Sequence, residues 1–185
     1  YTTNALKAFG VSVGYVQFSI KDYVKKEVLS KKIIDSLSNG EVLLSVGIGD
    51  GNYENHLIKT KQVPLNSIHG LDLVKCPTSL ISNFYNFDAK NSWQSIQKIY
   101  NCVLFGQIIG VSAPTRTDKQ AMMSHIVDLL LKAKEVLTPN GSIVIFDITI
   151  YSRFPGDAGI YESLWTKVAD KVGGTIKRHD SEWYV

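Results

Sequence analysis

The sequence predicts an α/β protein with a single doubly wound, mostly parallel sheet, helices on both faces, an N-terminal amphipathic helix and a short antiparallel ending. Three observations predict this fold class. Apolar strand-type runs alternate with amphipathic segments, the first run breaks into alternating glycines, and the second ends in an aspartate. Short strand–helix–strand crossovers are right-handed and make their strands parallel. Such sheets bind ligands at the carboxyl ends of the strands, where we expect the functional site.

The length and composition are those of one globular domain. We predict one domain over residues 1–185, with a helical lead-in at 1–40 and the sheet at 41–185, because domains commonly have about 100–200 residues. Apolar residues make up 44% of the chain and charged residues 20%, which excludes disordered and collagen-like classes. The net charge of +3 is spread along the chain, so charge alone does not support binding of nucleic acid.

The cysteines and the hydropathy indicate the compartment. Cys76 and Cys102 lack the spacing of a structural metal site, so we expect no metal and a reduced, cytoplasmic setting. No run of about 18 apolar residues is present, and the first residues do not have the pattern of a signal peptide. We therefore expect no membrane partner.

Apolar residues at helical spacing predict an amphipathic helix over residues 20–37, after a loosely structured lead-in and with a break near Ser30. Its lysines are expected to form a solvated face rather than an RNA-binding surface, because no aromatic residues interleave with them. Asn39 and Gly40 are expected to end the helix.

The first strand, predicted over residues 42–46, breaks into Gly47, Gly49 and Gly51. Alternating glycines let the backbone turn sharply and approach a ligand, with the free N–H groups of the next helix facing it. A dinucleotide fingerprint, G-x-G-x-x-G, is disfavoured because its third glycine is replaced by Asn52, and a phosphate loop is excluded because no lysine follows the glycines. A glycine-rich turn that binds no ligand is the remaining alternative.

The run SVGIGDG resembles motif I of the class I S-adenosylmethionine (SAM) dependent methyltransferases, which have a Rossmann-like fold. This resemblance implies SAM as the cofactor, bound at Gly47, Gly49 and Gly51. Ser45 departs from the pattern, because the family most often has an acidic residue there, near the methionine amino group of the cofactor.

The second strand, predicted over residues 68–73, carries Asp72 at its carboxyl end with Leu73 beside it. Asp72 follows the glycine turn by about 20 residues, the spacing of the acid that binds the ribose hydroxyls in a Rossmann unit. We therefore expect Asp72 and Leu73 to bind the cofactor. The alternative is a helix-capping or loop aspartate.

The third strand, predicted over residues 85–87, leads into Asp88 and Ala89. This sequence resembles the family's third motif, which implies that Asp88 and Ala89 bind the adenine amino group. Asp88 is equally suited to cap a helix predicted over residues 92–99, and the two roles are compatible.

The fourth strand, predicted over residues 100–109, carries Gln107 near its end, where the resemblance implies residues that flank the methyl group. The run [DNS]-P-P-[YFW], which marks methylation of planar amino nitrogens, is missing. No aspartate ends the strand, so the tetrad of ribose 2′-O-methyltransferases cannot form. The sequence therefore predicts an apolar site and identifies no catalytic residue.

The rest of the chain predicts further alternating elements. Asp118 should open a long helix that leads through a turn at 137–141 into a strand at 142–147, a passage that resembles the family's L-x-P-x-G turn and fifth strand. The other predicted elements are a short helix at 53–59, a short helix or turn at 78–84, a helix at 160–172, and short strands within 175–185 around a turn at 180–181.

The resemblance implies a SAM-dependent methyltransferase that transfers a methyl group to an N or O nucleophile, and we expect a small-molecule acceptor. Tyr15, Tyr23 and Tyr151 are predicted to line the acceptor site, since aromatic faces attract a sulfonium and exclude water. Packing of these rings into the core is the alternative.

Two other functions stay open. A SAM-binding module of this fold could be inactive alone or methylate RNA or protein together with a partner. An NAD-binding oxidoreductase is disfavoured by Asn52.

Overall fold

The fold is given by a computed structural model that describes residues 20–25, 27–106, 108–113, 118–146, 158–175, 177–179 and 182–184. The strands are β1 (Leu43–Val46), β2 (Ile68–Asp72), β3 (Phe84–Asn86), β4 (Tyr100–Gly106), β5 (Leu137–Phe146), β6 (Lys177–His179) and β7 (Glu182–Tyr184). The helices are α1 (Ile20–Lys25), α2 (Lys31–Ser38), α3 (Asn52–Lys61), α4 (Ile109–Ser112), α5 (Lys119–Glu135) and α6 (Ala158–Val172), with a 3-10 helix at Leu65–Ser67.

The strands form one sheet in the order β3-β2-β1-β4-β5-β7-β6. Strands β1 to β5 are parallel, whereas β7 is antiparallel to both β5 and β6. The predicted mostly parallel sheet and its short antiparallel ending are confirmed. The strand order reverses between β1 and β4, which makes the carboxyl ends of these two strands the expected ligand-binding edge.

Helices cover both faces of the sheet. Every residue of β1 is buried, as expected for a parallel strand between two helical layers. Leu44 and Val46 of β1 belong to the core under α5 and α6, whereas Leu43 belongs to the core under α2 and α3. Ser45 therefore shares the α3 face with Leu43, because side chains alternate along a strand.

The predicted break in the N-terminal helix is confirmed. Helix α2 begins after Ser30, whose hydroxyl oxygen accepts a hydrogen bond from Ile33 N at 3.4 Å. The helix ends at Asn39, and Gly40 follows with a φ of +97°. A strong N-cap inside an otherwise helical pattern divides it into α1 and α2.

The helix predicted over residues 92–99 is wrong. The backbone there forms turns instead, and Asp88 closes a turn by accepting a hydrogen bond from Lys90 N at 2.9 Å. The indole N–H of Trp93 donates to Ala89 O at 2.9 Å, and Trp93 and Ile96 are both buried. Burying these two side chains within so short a connection favours turns over a helix.

Two predicted boundaries also need correction. Strand β4 ends at Gly106 rather than at residue 109, and the helical turn α4 follows it. Of the short helix or turn predicted over residues 78–84, the structure has the turn. Strand β5 already begins at Leu137, which pairs with Tyr100, whereas the next pair is Cys102 with Ser142. The turn predicted at 137–141 is therefore an irregularity within the strand, where extra residues bulge from the register.

The other predicted helices and strands agree with the structure within a few residues, whereas the predicted lead-in before residue 20 and the turn at 180–181 lie outside the described residues. Asp118 opens the long helix α5 as predicted, since its side chain accepts hydrogen bonds from Gln120 N and Ala121 N. Among the helices in the described part of the chain, none is long and apolar enough to cross a membrane.

Candidate functional site

The glycine turn lies at the carboxyl end of β1 and touches the end of β4. Gly47 has a φ of +76°, and a Cβ atom there would come within 2.6 Å of Ile108 Cβ and 3.2 Å of Gly106 O. Any side chain at this position would therefore force the turn and β4 apart. The glycine lets two neighbouring strand ends approach each other at the point where the strand order reverses.

The far end of the turn is held by the segment that follows β2. Gly51 has a φ of +70°, and a Cβ atom there would lie 2.6 Å from Ser79 Oγ. Asn55 of α3 reinforces this contact, because its amide nitrogen donates to Thr78 O at 2.9 Å and its amide oxygen accepts from Leu80 N at 2.8 Å. The turn is thus fixed on both sides.

Asp72 ties the end of β2 to the glycine turn. Its Oδ2 accepts a hydrogen bond from Gly49 N at 2.9 Å, and its Oδ1 accepts one from Leu73 N at 2.7 Å. Asp72 is only 4% exposed, whereas Leu73 is exposed. Asp72 therefore holds the turn and stands where the sequence predicts the ribose acid.

Asp88 and Ala89 follow β3, next to the end of β2. Ala89 is buried, while Asp88 is partly exposed and forms a 3.3 Å ion pair with the Lys90 ammonium group. Asn86 joins the two strand ends, since its amide nitrogen donates to Leu73 O and to Asp72 O. Asp72, at the end of β2, and Asp88, just after the end of β3, therefore lie at the carboxyl ends of adjacent strands. The predicted helix cap at Asp88 is wrong, because no helix follows at 92–99.

Tyr23 of α1 packs over the ends of β4 and β5. Its ring centroid lies 4.5 Å from that of Phe146 and 4.8 Å from that of Tyr53. A Cβ atom at Gly106 would come within 3.0 Å of the Tyr23 hydroxyl oxygen and 3.9 Å of Gly47 O. Tyr23 therefore lies close to the glycine turn. The other predicted residues of this edge, Tyr15, Gln107 and Tyr151, lie outside the described residues.

A buried acid under the turn was not predicted. Glu54, in the first turn of α3, is 4% exposed, and its Oε1 accepts a hydrogen bond from Ser45 Oγ at 2.6 Å. Burial raises the pKa of Glu54 from 4.5 to about 7. The spacing of Glu54 with Leu57 and Ile58 puts them on one helix face, and this signal could have revealed the burial of Glu54.

A cavity of about 950 Å³ lies near the amino ends of the strands, at the opposite end of the sheet from the glycine turn. Its lining comes from the residues that enter β1, β4 and β5, such as Glu41, Asn101 and Leu137, and from the ends of α2 and α6. Parallel sheets of this type bind ligands at the carboxyl ends of their strands. The glycine turn therefore remains the candidate site.

The structure resembles solved methyltransferases. The plantazolicin methyltransferase BpumL, in complex with a triazolic desmethylPZN analog and S-adenosylhomocysteine (SAH), matches with a TM-score of 0.57 and 18% identity over 83% of this chain and 65% of that one. An O-methyltransferase family protein from Burkholderia thailandensis matches with a TM-score of 0.53 and 14% identity over 100% of this chain and 59% of that one. No family model matches the sequence, and no curated protein sequence does.

These likenesses bear on the fold. The chain has the class I SAM-dependent methyltransferase fold, as the resemblance in motif I led us to expect. It spans less than two thirds of the length of either neighbour.

Proposed function

We propose that this chain is a SAM-dependent methyltransferase domain that transfers a methyl group to an N or O nucleophile of a small molecule. The observation that carries the proposal is the bond between Asp72 and Gly49, which joins the glycine turn to the predicted ribose acid in a class I methyltransferase fold.

The residues at this edge fit SAM. The side-chain-free turn of Gly47, Gly49 and Gly51 suits the methionine part of the cofactor, and no phosphate group calls for the missing lysine. Asp72 and Leu73 would hold the ribose, and Asp88 and Ala89 the adenine, with Gln107 near the methyl group. When bound, SAM would supply a methyl group on a positively charged sulfur.

This chain would contribute mainly by positioning and by excluding water. Holding donor and acceptor at reacting distance replaces a bimolecular encounter, and this alone can lower the barrier by about 7–11 kcal/mol. Tyr23, Tyr53 and Phe146 form an aromatic cluster beside the turn, which suits an apolar acceptor and a sulfonium. Tyr15 and Tyr151 remain proposed acceptor contacts, and the cytoplasm remains the proposed location.

The two structural neighbours support an organic acceptor. One was solved with a triazolic desmethylPZN analog and SAH, and the other is an O-methyltransferase family protein. This chain is shorter than both neighbours. The class of acceptor that it methylates is therefore part of the proposal.

Calorimetric titration of the chain with SAM, SAH and NAD tests the proposal. We expect SAM and SAH to bind with micromolar dissociation constants, about −8 kcal/mol, and NAD to give no heat of binding. Binding of NAD without SAM would overturn the methyltransferase proposal. Binding of SAM followed by methyl transfer only to RNA or protein would contradict the small-molecule acceptor.

A further inference from the structure

Ser45 stands where the class I methyltransferase pattern most often has an acid, and the structure supplies an acid to that place from elsewhere. The Ser45 hydroxyl donates to Glu54 Oε1 at 2.6 Å, and both residues are almost fully buried. Glu54 belongs to the first turn of α3, directly after the glycine turn. A carboxyl group from the helix therefore lies against the strand position that the pattern assigns to a carboxyl group.

The surroundings of Glu54 contain no matching positive charge among the described residues that act on it. Asp50 in the glycine turn and Asp72 at the end of β2 both act on Glu54, and both are acids. Helix α3 packs against α1 through Tyr53 and Tyr23, whose phenol side chains are not cationic groups. Ionising a buried carboxyl group beside two other acids is unfavourable without a compensating cation.

The proposed cofactor site at the glycine turn, next to Glu54, would bind such a cation. Asp72 is bonded to the middle of the glycine turn, and Glu54 lies below the same turn. The cofactor of the proposed function carries a positive sulfonium and an amino group, whereas SAH lacks the sulfonium charge. A buried acid with no cation among the described residues that act on it is thus adjacent to a proposed site for a cation.

We propose that Glu54, held by Ser45, is a positioning residue of the cofactor site that replaces the missing strand-end acid and becomes the negative counter-charge when SAM binds. This proposal rests on the proposed function. It predicts that SAM binding releases a proton from Glu54, so SAM binds more tightly as the pH rises. Binding of SAH should depend less on Glu54, because SAH lacks the sulfonium charge.

The test compares the chain with the Glu54→Gln variant. The amide oxygen of glutamine can still accept the Ser45 hydroxyl, so this variant keeps the shape and the bond but cannot ionise. SAM and SAH are titrated calorimetrically at pH 6 and pH 8, in two buffers of different ionisation enthalpy. Protonation of the ligands themselves is the same for both proteins and cancels in their comparison.

For the unchanged chain, we expect the affinity for SAM to rise about tenfold more between pH 6 and pH 8 than it does for Glu54→Gln. At pH 8 the variant should bind SAM about tenfold more weakly and SAH within about twofold of the unchanged chain. Equal pH profiles for the two proteins, or equal losses of SAM and SAH, would overturn the role of Glu54.

A second variant tests the replacement directly. Ser45→Asp combined with Glu54→Gln returns the acid to the strand and keeps a hydrogen-bond partner for it. We expect this double variant to regain most of the preference for SAM over SAH at pH 8. A double variant that folds, as circular dichroism shows, but binds SAM no better than Glu54→Gln would contradict the proposal.

Failure of the two proposals can be told apart. If neither SAM nor SAH binds the unchanged chain, the proposed function fails and the role of Glu54 fails with it. If both ligands bind and their affinities are the same for the unchanged chain and for Glu54→Gln, only the role of Glu54 fails.

Discussion

Two buried polar networks lie at opposite ends and on opposite faces of the same sheet. Under the glycine turn, Ser45 donates to Glu54 on the α3 face. Toward the amino ends of the strands, Tyr100 Oη lies 2.9 Å from His69 Nδ1 and donates to Tyr85 Oη at 3.1 Å, on the face covered by α5. Both networks connect different secondary structure elements, but the first contains a carboxyl group and the second does not.

The difference shows what a buried polar group signifies. Burial lowers the pKa of His69, and burial together with the bond to Tyr85 raises the pKa of Tyr100, so both stay neutral near pH 7. A neutral network whose members bond to one another is complete without a ligand. Glu54, in contrast, has a pKa of about 7 and two acids nearby. Incomplete charge compensation, rather than polarity, distinguishes the proposed site from the ordinary core.

The largest expected effect is the pH dependence of stability that Glu54 imposes. Between pH 4.5 and 7 the unfolded chain has lost this proton while the native chain keeps it, so a rising pH favours the unfolded state. We expect the free energy of unfolding to fall by on the order of 3 kcal/mol between pH 5 and pH 8 because of Glu54. Urea unfolding of the ligand-free chain and of Glu54→Gln at both pH values measures this difference.

The Glu54→Gln variant is the control for that experiment. Glu54→Gln should match the unchanged chain at pH 5 and exceed its stability at pH 8. If the two proteins lose the same stability between these pH values, Glu54 ionises normally and the contrast between the two networks collapses.

The next effect is on cofactor affinity. Asp72→Ala should weaken the binding of SAM by roughly 1.5–3 kcal/mol, the scale of hydrogen bonds to a charged group. The variant also releases Gly49 N from its bond, so a loss of stability should accompany the loss of affinity. Calorimetric titration with SAM and thermal unfolding separate the two losses. An unchanged affinity would assign Asp72 to holding the turn alone.

A smaller effect is expected in the neutral network. Tyr100→Phe removes the hydroxyl group that His69 and Tyr85 share, and should lower the free energy of unfolding by about 1–2 kcal/mol, since it leaves buried polar atoms without partners. Affinity for SAH should stay within about twofold. A large loss of affinity in Tyr100→Phe would show that the two ends of the sheet are coupled, and would remove the basis of the comparison.

The sequence predicts the sheet well because its signals are local. The strands are short apolar runs, and Ser30, Gly51 and Asp118 mark helix starts through their own backbone or side-chain chemistry. The helix at 92–99 is wrong because burial of Trp93 and Ile96 overrides a weak helical pattern.

The candidate site is harder to predict because its contacts join distant parts of the chain. The positions of Asp72 and Asp88 at strand ends follow from strand boundaries and agree with the structure, whereas the bond from Asp72 to Gly49 depends on the sheet order. The helix spacing of Glu54 could have revealed its burial, but no local rule pairs a helix acid with Ser45. The roles of these residues toward a cofactor stay predictions.

The smallest effect concerns the contact between Tyr23 and the end of β4. An alanine at Gly106 would put a methyl group 3.0 Å from the Tyr23 hydroxyl oxygen, closer than the usual contact distance of about 3.5–4.0 Å, so the ring must shift. Removing the hydroxyl with Tyr23→Phe leaves room for the methyl group. A double-mutant cycle of Gly106→Ala and Tyr23→Phe should therefore show a coupling energy of about 0.5–1 kcal/mol in urea unfolding, because the double variant is more stable than the two single changes predict. The effect of alanine on the unfolded chain occurs in both backgrounds and cancels.

If this contact belongs to the ligand-binding edge, SAH saturation should reduce the coupling energy or enlarge it, whereas the stability loss of Tyr100→Phe should be the same with and without SAH. A coupling energy of zero would show that Tyr23 does not contact the end of β4 closely. The difference between the two ends of the sheet would then depend on Glu54 and Asp72 alone.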